Sequence, residues 1–151
     1  MSYSVDLQYE VPRSGLPDAQ AFQLWTHTTL QGRRLRAEVC IRLVSAAESQ
    51  ELNRTWRGKD YPTNVLSFPF EAPPGIPIDS IGDLVICAEV VKQEALEQGK
   101  QELDHWAHLV IHGLLHLIGF DHINDAEAEE MEALEISLLA RLGIPNPYES
   151  A

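Results

Sequence analysis

The sequence predicts an α+β domain of four strands and about five α-helices. Three observations carry that expectation. Four segments show the alternation or compact apolar run of a strand; five have helical length and recognisable end signals; and the strands come before most of the helices, which argues against a doubly wound sheet. At 151 residues the chain has the length of one domain spanning 1–151, enough to enclose a core and too short for two of ordinary size.

In chain order, "VDLQY" alternates Val5, Leu7 and Tyr9 and reads as a first strand. A helix is expected from about Pro17 to Leu30, with Pro17 in its first turn and Gly32 just past its end. "AEVCIRLV" alternates Val39, Ile41 and Leu43, a second strand. "SAAE" at 45–48 has the serine-to-glutamate spacing of a capping box and opens a helix to about Trp56. A loop then feeds a strand near Val65–Phe70. Pro69 cannot donate to a sheet ladder, so this strand belongs at an edge. "PPGIP" is a turn, "IGDLVICAE" a fourth strand, and a helix follows to about Gln98, closed by Gly99. The next helix covers roughly 101–118 and stops at Gly119. The last opens at "NDAE" and runs to about Leu142, ended by Gly143 and Pro145.

Composition narrows the function classes. Hydrophobic residues at 44% and charged residues at 23% are globular values, which excludes a disordered chain. No apolar run of 18 residues occurs, so no membrane span is expected, and "MSYSVDLQYEVPRSG" lacks the basic start and apolar stretch of a secretory signal. Cys40 and Cys87 are then reduced thiols in strand-like segments of a cytoplasmic protein. The net charge of −12 argues against a polyanionic substrate, but its distribution is uneven. Residues 33–59 hold seven of the eleven cations against three acids, whereas 60–151 hold three cations and seventeen acids. Either the basic stretch guides a nucleic-acid strand through a cleft, or it is a set of solvated faces.

The chemistry is concentrated in "HLVIHGLLHLIGFDH", residues 108–122. From His112 it has the spacing of the metzincin protease motif H-E-x-x-H-x-x-G-x-x-H, with Gly113 in place of the catalytic glutamate. His112 and His116 lie four apart and share one helix face. Gly119 ends the helix and lets the chain fold back, bringing His122 round as a third ligand. Three neutral imidazoles and an open position suit a catalytic zinc site. His108, one turn earlier, drifts off that face and reads as a buried or ligand-supporting histidine. His105 is expected to face solvent. Asp121 either orients an imidazole or helps form the turn. Glycine at 113 cannot act as a base, but a metal ion still lowers the pKa of water it holds towards ~7. What remains to be supplied is charge stabilisation. For a phosphodiester that group is an arginine, and the candidates lie in "RTWRGKDYPTN". The missing glutamate therefore favours a phosphate ester over a peptide.

"HGLLHLIGFDH", "LNRTWRGKDYPTNVLSFPFE" and "IGDLVI" together closely resemble the YbeY endoribonuclease family of ribosomal-RNA maturation factors, in the right order over essentially the whole chain. The resemblance implies a zincin-like α+β domain with a mixed four-stranded sheet. It also implies a zinc-dependent, single-strand-specific endoribonuclease acting in 16S rRNA 3′-end maturation and ribosome quality control. By position, His112, His116 and His122 would hold one Zn²⁺ per chain, and Arg57 would be catalytic. Arg54 and Lys59 are weaker candidates for substrate binding. The implied partners are single-stranded RNA, the ribosome, a small-subunit ribosomal protein, an Era-type GTPase and a PhoH-like ATPase. Without the resemblance, Arg57 would be assigned to a surface ion pair with Asp60, and Asn64 to a turn. Two competing readings are a zincin-like metallopeptidase, whose edge strand would pair with an extended peptide, and a non-catalytic assembly factor with a structural metal.

Overall fold

The computed structural model describes residues 2–76 and 78–149. Its elements run β1 (Ser2–Tyr9), α1 (Ala19–Leu30), β2 (Arg36–Val44), α2 (Ala46–Arg57), β3 (Val65–Pro69), β4 (Ser80–Cys87), α3 (Ala88–Gln98), α4 (Glu102–Leu117) and α5 (Asp125–Arg141). The four strands form one mixed sheet in the order β1-β2-β4-β3, with β1, β2 and β4 parallel and β3 antiparallel to β4. The α+β architecture with four strands and five helices is the expected one.

Strand alternation sorts the residues onto two faces. Val39, Ile41, Leu43, Leu84 and Ile86 point into the main core, which α1, α4 and α5 complete with Phe22, Trp106, Ile111, Leu114, Leu115 and Met131. Val44, Leu66 and Val85 point the other way and meet Leu52 of α2 and Phe68 in a smaller cluster. So α4 and α2 lie on opposite faces of the sheet, and β3 is the edge between them. Pro69 does end an edge strand, as its missing N–H required.

Some ends differ from expectation. α1 starts at Ala19 because Asp18 caps it, accepting from Ala21 N at 2.9 Å, which leaves Pro17 outside the first turn. Ser45 caps α2 by accepting from Glu48 N, but the box is one-sided: the Glu48 carboxylate pairs with Arg42 instead of returning to the backbone. In "PPGIP", Ile76 N donates to Pro73 O; Pro77 lies outside the described residues. Cys40 is half-buried and Cys87 buried, and both are free thiols.

Candidate metal centre

Helix α4 is buried nearly all round. Between His105 and Leu117 the residues that are not buried are His108, His112 and His116, one stripe at four-residue spacing. The sheet, α1, α3 and α5 cover the rest of the helix, so this stripe is its opening to the surface. At its end Gly119 takes φ +107°, a region that side-chain-bearing residues avoid, and the chain turns back. Asp121 Oδ1 accepts from His122 N at 2.7 Å, which gives Asp121 the turn-forming role.

The turn brings His122 over the helix. Ring centroids stand 4.9 Å apart for His112–His116, 5.0 Å for His116–His122 and 5.7 Å for His112–His122. One nitrogen from each ring lies within 4.8 Å of the others, the one cluster of potential metal ligands among the described residues. The donor set fits a metal ion of the zinc class: three imidazoles, with neither thiolate nor carboxylate among them. Burial, and then the neighbouring His112 and His122, push the His116 pKa below the ordinary histidine value, which favours the neutral form that ligates.

Sequence reasoning missed the residue that organises this cluster. Glu135 on α5 is fully buried. Its Oε2 accepts from His112 Nδ1 at 2.9 Å, and its Oε1 accepts from His108 Nε2 at 2.6 Å and from the Tyr148 hydroxyl at 2.6 Å. Burial alone would raise the Glu135 pKa, but the three hydrogen bonds together outweigh it and hold the carboxyl at about 2. An ionised carboxylate only accepts, so His112 must carry its proton on Nδ1 and present Nε2 to the cluster. Tyr148 is correspondingly held as a phenol, its pKa raised by burial and by the Glu135 carboxylate. A signal for Glu135 was present: with Met131, Leu138 and Leu139 it occupies the buried stripe of α5, where an acid is out of place. His108 supports the cluster through Glu135. His105, expected at the surface, is buried, with Nε2 2.9 Å from Glu94 Oε1, because α3 packs over that part of α4.

Gly113 has a packing reason. A Cβ there would meet Leu84 Cδ2 of β4 at 2.7 Å, so a side chain at 113 fits only if the Leu84 side chain gives way. The position of the protease glutamate points at a core leucine.

The histidines form one wall of a groove of about 650 Å³, whose other wall is β3 and the loop before it. Arg57 and Lys59 both line it. Arg57 comes from the α2 face and reaches round the sheet edge: its guanidinium lies 5.5 Å from the Phe68 ring centroid and donates to Ser67 O at 2.9 Å. It makes no ion pair with Asp60, whose Oδ1 instead accepts from Gln50. Arg54 is outside the groove and paired with Glu51. The basic stretch is similarly divided, since Arg42 pairs with Glu10 and Glu48 and Arg34 donates to Ile118 O. Asn64 serves the edge rather than a turn, accepting from Val65 N at 2.6 Å while its amide donates to Glu94.

The solution structure of TM1509 from Thermotoga maritima is similar at 28% identity over 91% of this chain and 88% of that one, with a TM-score of 0.66. The family model described as Endoribonuclease YbeY matches residues 15–143, which takes in every element from α1 to α5 and all three clustered histidines. The chain belongs to the YbeY endoribonuclease family, hydrolases that act on RNA in ribosomal-RNA maturation.

Proposed function

We propose that residues 1–151 form one metal-dependent endoribonuclease domain that cleaves single-stranded RNA, with zinc as its metal. The observation that carries this reading is the pairing of an arginine and three clustered histidines across one groove, with glycine where a peptidase has its glutamate. His112, His116 and His122 would hold the ion. When bound, it supplies Lewis-acid polarisation of a phosphoryl oxygen and a lowered pKa for attacking water. The protein's own part is positional and electrostatic. Glu135 fixes the His112 ring, Arg57 meets the charge that develops on the phosphate, and Lys59 attracts the backbone at the groove mouth. The physiological task in this reading is 3′-end maturation of 16S rRNA and ribosome quality control in the cytoplasm. A small-subunit ribosomal protein, an Era-type GTPase and a PhoH-like ATPase are its proposed partners.

The peptidase reading is weakened at β3. A peptide would need the free-edge groups of Val65, Ser67 and Pro69. Asn64 occupies Val65 N, Arg57 occupies Ser67 O, and Pro69 has no N–H, so half of that ladder is already closed. The test is a substrate panel. Metal-quantified protein is incubated with single-stranded RNA, duplex RNA and casein beside a His112→Ala control. Cleavage of single-stranded RNA alone, lost in the control, is expected. Casein cleavage, or RNA cleavage that survives the substitution, contradicts the reading.

A further inference from the structure

The groove does not account for the aromatic residues beside it. Trp56, at the last turn of α2, is 62% exposed and does not line the groove, whereas the exposed Tyr61 does line it and the exposed Phe70 follows β3. Trp56 packs edge-to-face with Phe68 at 6.3 Å, and the Arg57 guanidinium lies against the same Phe68 ring. Asn53 and Arg57, four residues apart, both face the groove; Trp56, one residue earlier, is turned about 100° away, onto the α2 face of the sheet edge. A groove wall, a guanidinium and an open indole therefore follow one another around a single edge strand.

We infer that Trp56, backed by Phe68, is a base-stacking platform for the single-stranded RNA whose phosphate Arg57 meets, so that the strand crosses the β3 edge from the histidine groove to the α2 face. This rests on the proposed RNA-cleaving function and specifies its substrate path. Three features favour RNA as the occupant. The platform is continuous with the groove through Arg57. Arg57 lies against it and Lys59 lines the adjoining groove, and among the described residues no acid is paired to either, in a chain of net charge −12 that repels a polyanion elsewhere. And an exposed aromatic next to a phosphate-binding cation is how sequence-tolerant single-strand sites are built, because every base has a π-face. A paired duplex buries those faces, so the platform would also select for unpaired substrate.

Tryptophan fluorescence isolates the residue. Trp25 and Trp106 are 4% and 1% exposed, so the solvent-exposed emission belongs to Trp56. A metal-loaded wild type should show that emission quenched by oligoadenylate and not by duplex RNA of equal charge. Trp56→Ala should raise KM for cleavage of a single-stranded oligonucleotide by roughly 5- to 100-fold, with metal content unchanged. Trp56→Phe should recover most of the loss, whereas Trp56→Leu, apolar but without a π-face, should not. Unquenched emission and unchanged KM in protein that cleaves RNA overturn the platform and leave the proposed function standing. Equal rescue by leucine overturns stacking and leaves position 56 an apolar contact only. Failure of wild type both to bind and to cleave RNA overturns both.

Discussion

Glu135 Oε2 sits 2.9 Å from His112 Nδ1, so one fully buried carboxylate on α5 sets the proton position and ring angle of a candidate metal ligand on α4. Partners of this kind typically contribute 10- to 100-fold in metal affinity. Glu135→Gln should weaken zinc binding by about that factor in a chelator competition. Tyr148→Phe, which removes one of the donors to the carboxylate and keeps the fold, should weaken it less. Unchanged affinity in both variants would show that Glu135 only fills the core.

The acid response of the metal-free fold follows from His105 and His116. Burial lowers both pKa values, with the Glu94 hydrogen bond partly offsetting it at His105 and the His112 and His122 charges adding to it at His116. The unfolded chain takes up these protons near pH ~6.5. Just below that pH it therefore holds more protons than the folded chain. Their contribution is fully present above about 6.5 and is lost as pH falls through the depressed folded values. Urea midpoints should drop on acidification through this window, and His105→Gln should flatten part of the slope. A midpoint that rises on acidification would contradict the sign. Glu135, held at about 2, stays ionised throughout.

Gly113→Glu rebuilds the protease motif in letters only. Its side chain would start 2.7 Å from Leu84 Cδ2 and bury a carboxylate against the sheet. The variant should lose several kcal/mol of stability and cleave no casein. Gly113→Ala should cost less, because about 1 kcal/mol gained in helix propensity offsets an overpacking cost of ~1–3 kcal/mol. Adding Leu84→Ala should relieve the crowding in a double-mutant cycle. Efficient casein cleavage by Gly113→Glu would mean a peptidase scaffold lacking one residue.

How much of this was legible in the sequence depends on where the information sits. His112, His116, Gly119 and His122 are local: helix periodicity and one left-handed glycine bring the three imidazoles together, so spacing was enough to predict the cluster. Pro69 placed β3 at the edge because a missing donor is a property of one residue. Glu135 and Tyr148 were not legible as site residues. They reach the cluster through packing of α5 and the following turn, and Glu135 is one of several acids in its helix, distinguished only by its place on the apolar stripe. His105 was misplaced for a related reason: its burial depends on α3, which sequence periodicity within α4 does not register. Arg57's reach around the β3 edge is equally a matter of tertiary packing, which is why the local guess was its neighbour Asp60.

Arg57→Ala tests the electrostatic half of the proposal. The side chain is exposed and holds one carbonyl, so melting temperature and zinc content should barely change. RNA cleavage should fall about 10²- to 10³-fold. Arg57→Lys should recover little, since a point charge cannot replace the planar fork. Wild-type rates in Arg57→Ala would move the role to Lys59.

The central claim, an RNA hydrolase whose metal is held by His112, His116 and His122, is tested most directly by titrating metal-stripped protein with zinc and reading single-turnover cleavage of single-stranded RNA at each addition. Activity should rise linearly and break at about one zinc per chain, and the His112→Ala, His116→Ala double variant should stay inactive at every addition. Full cleavage by stripped protein, or restoration of the double variant by zinc, would contradict the account.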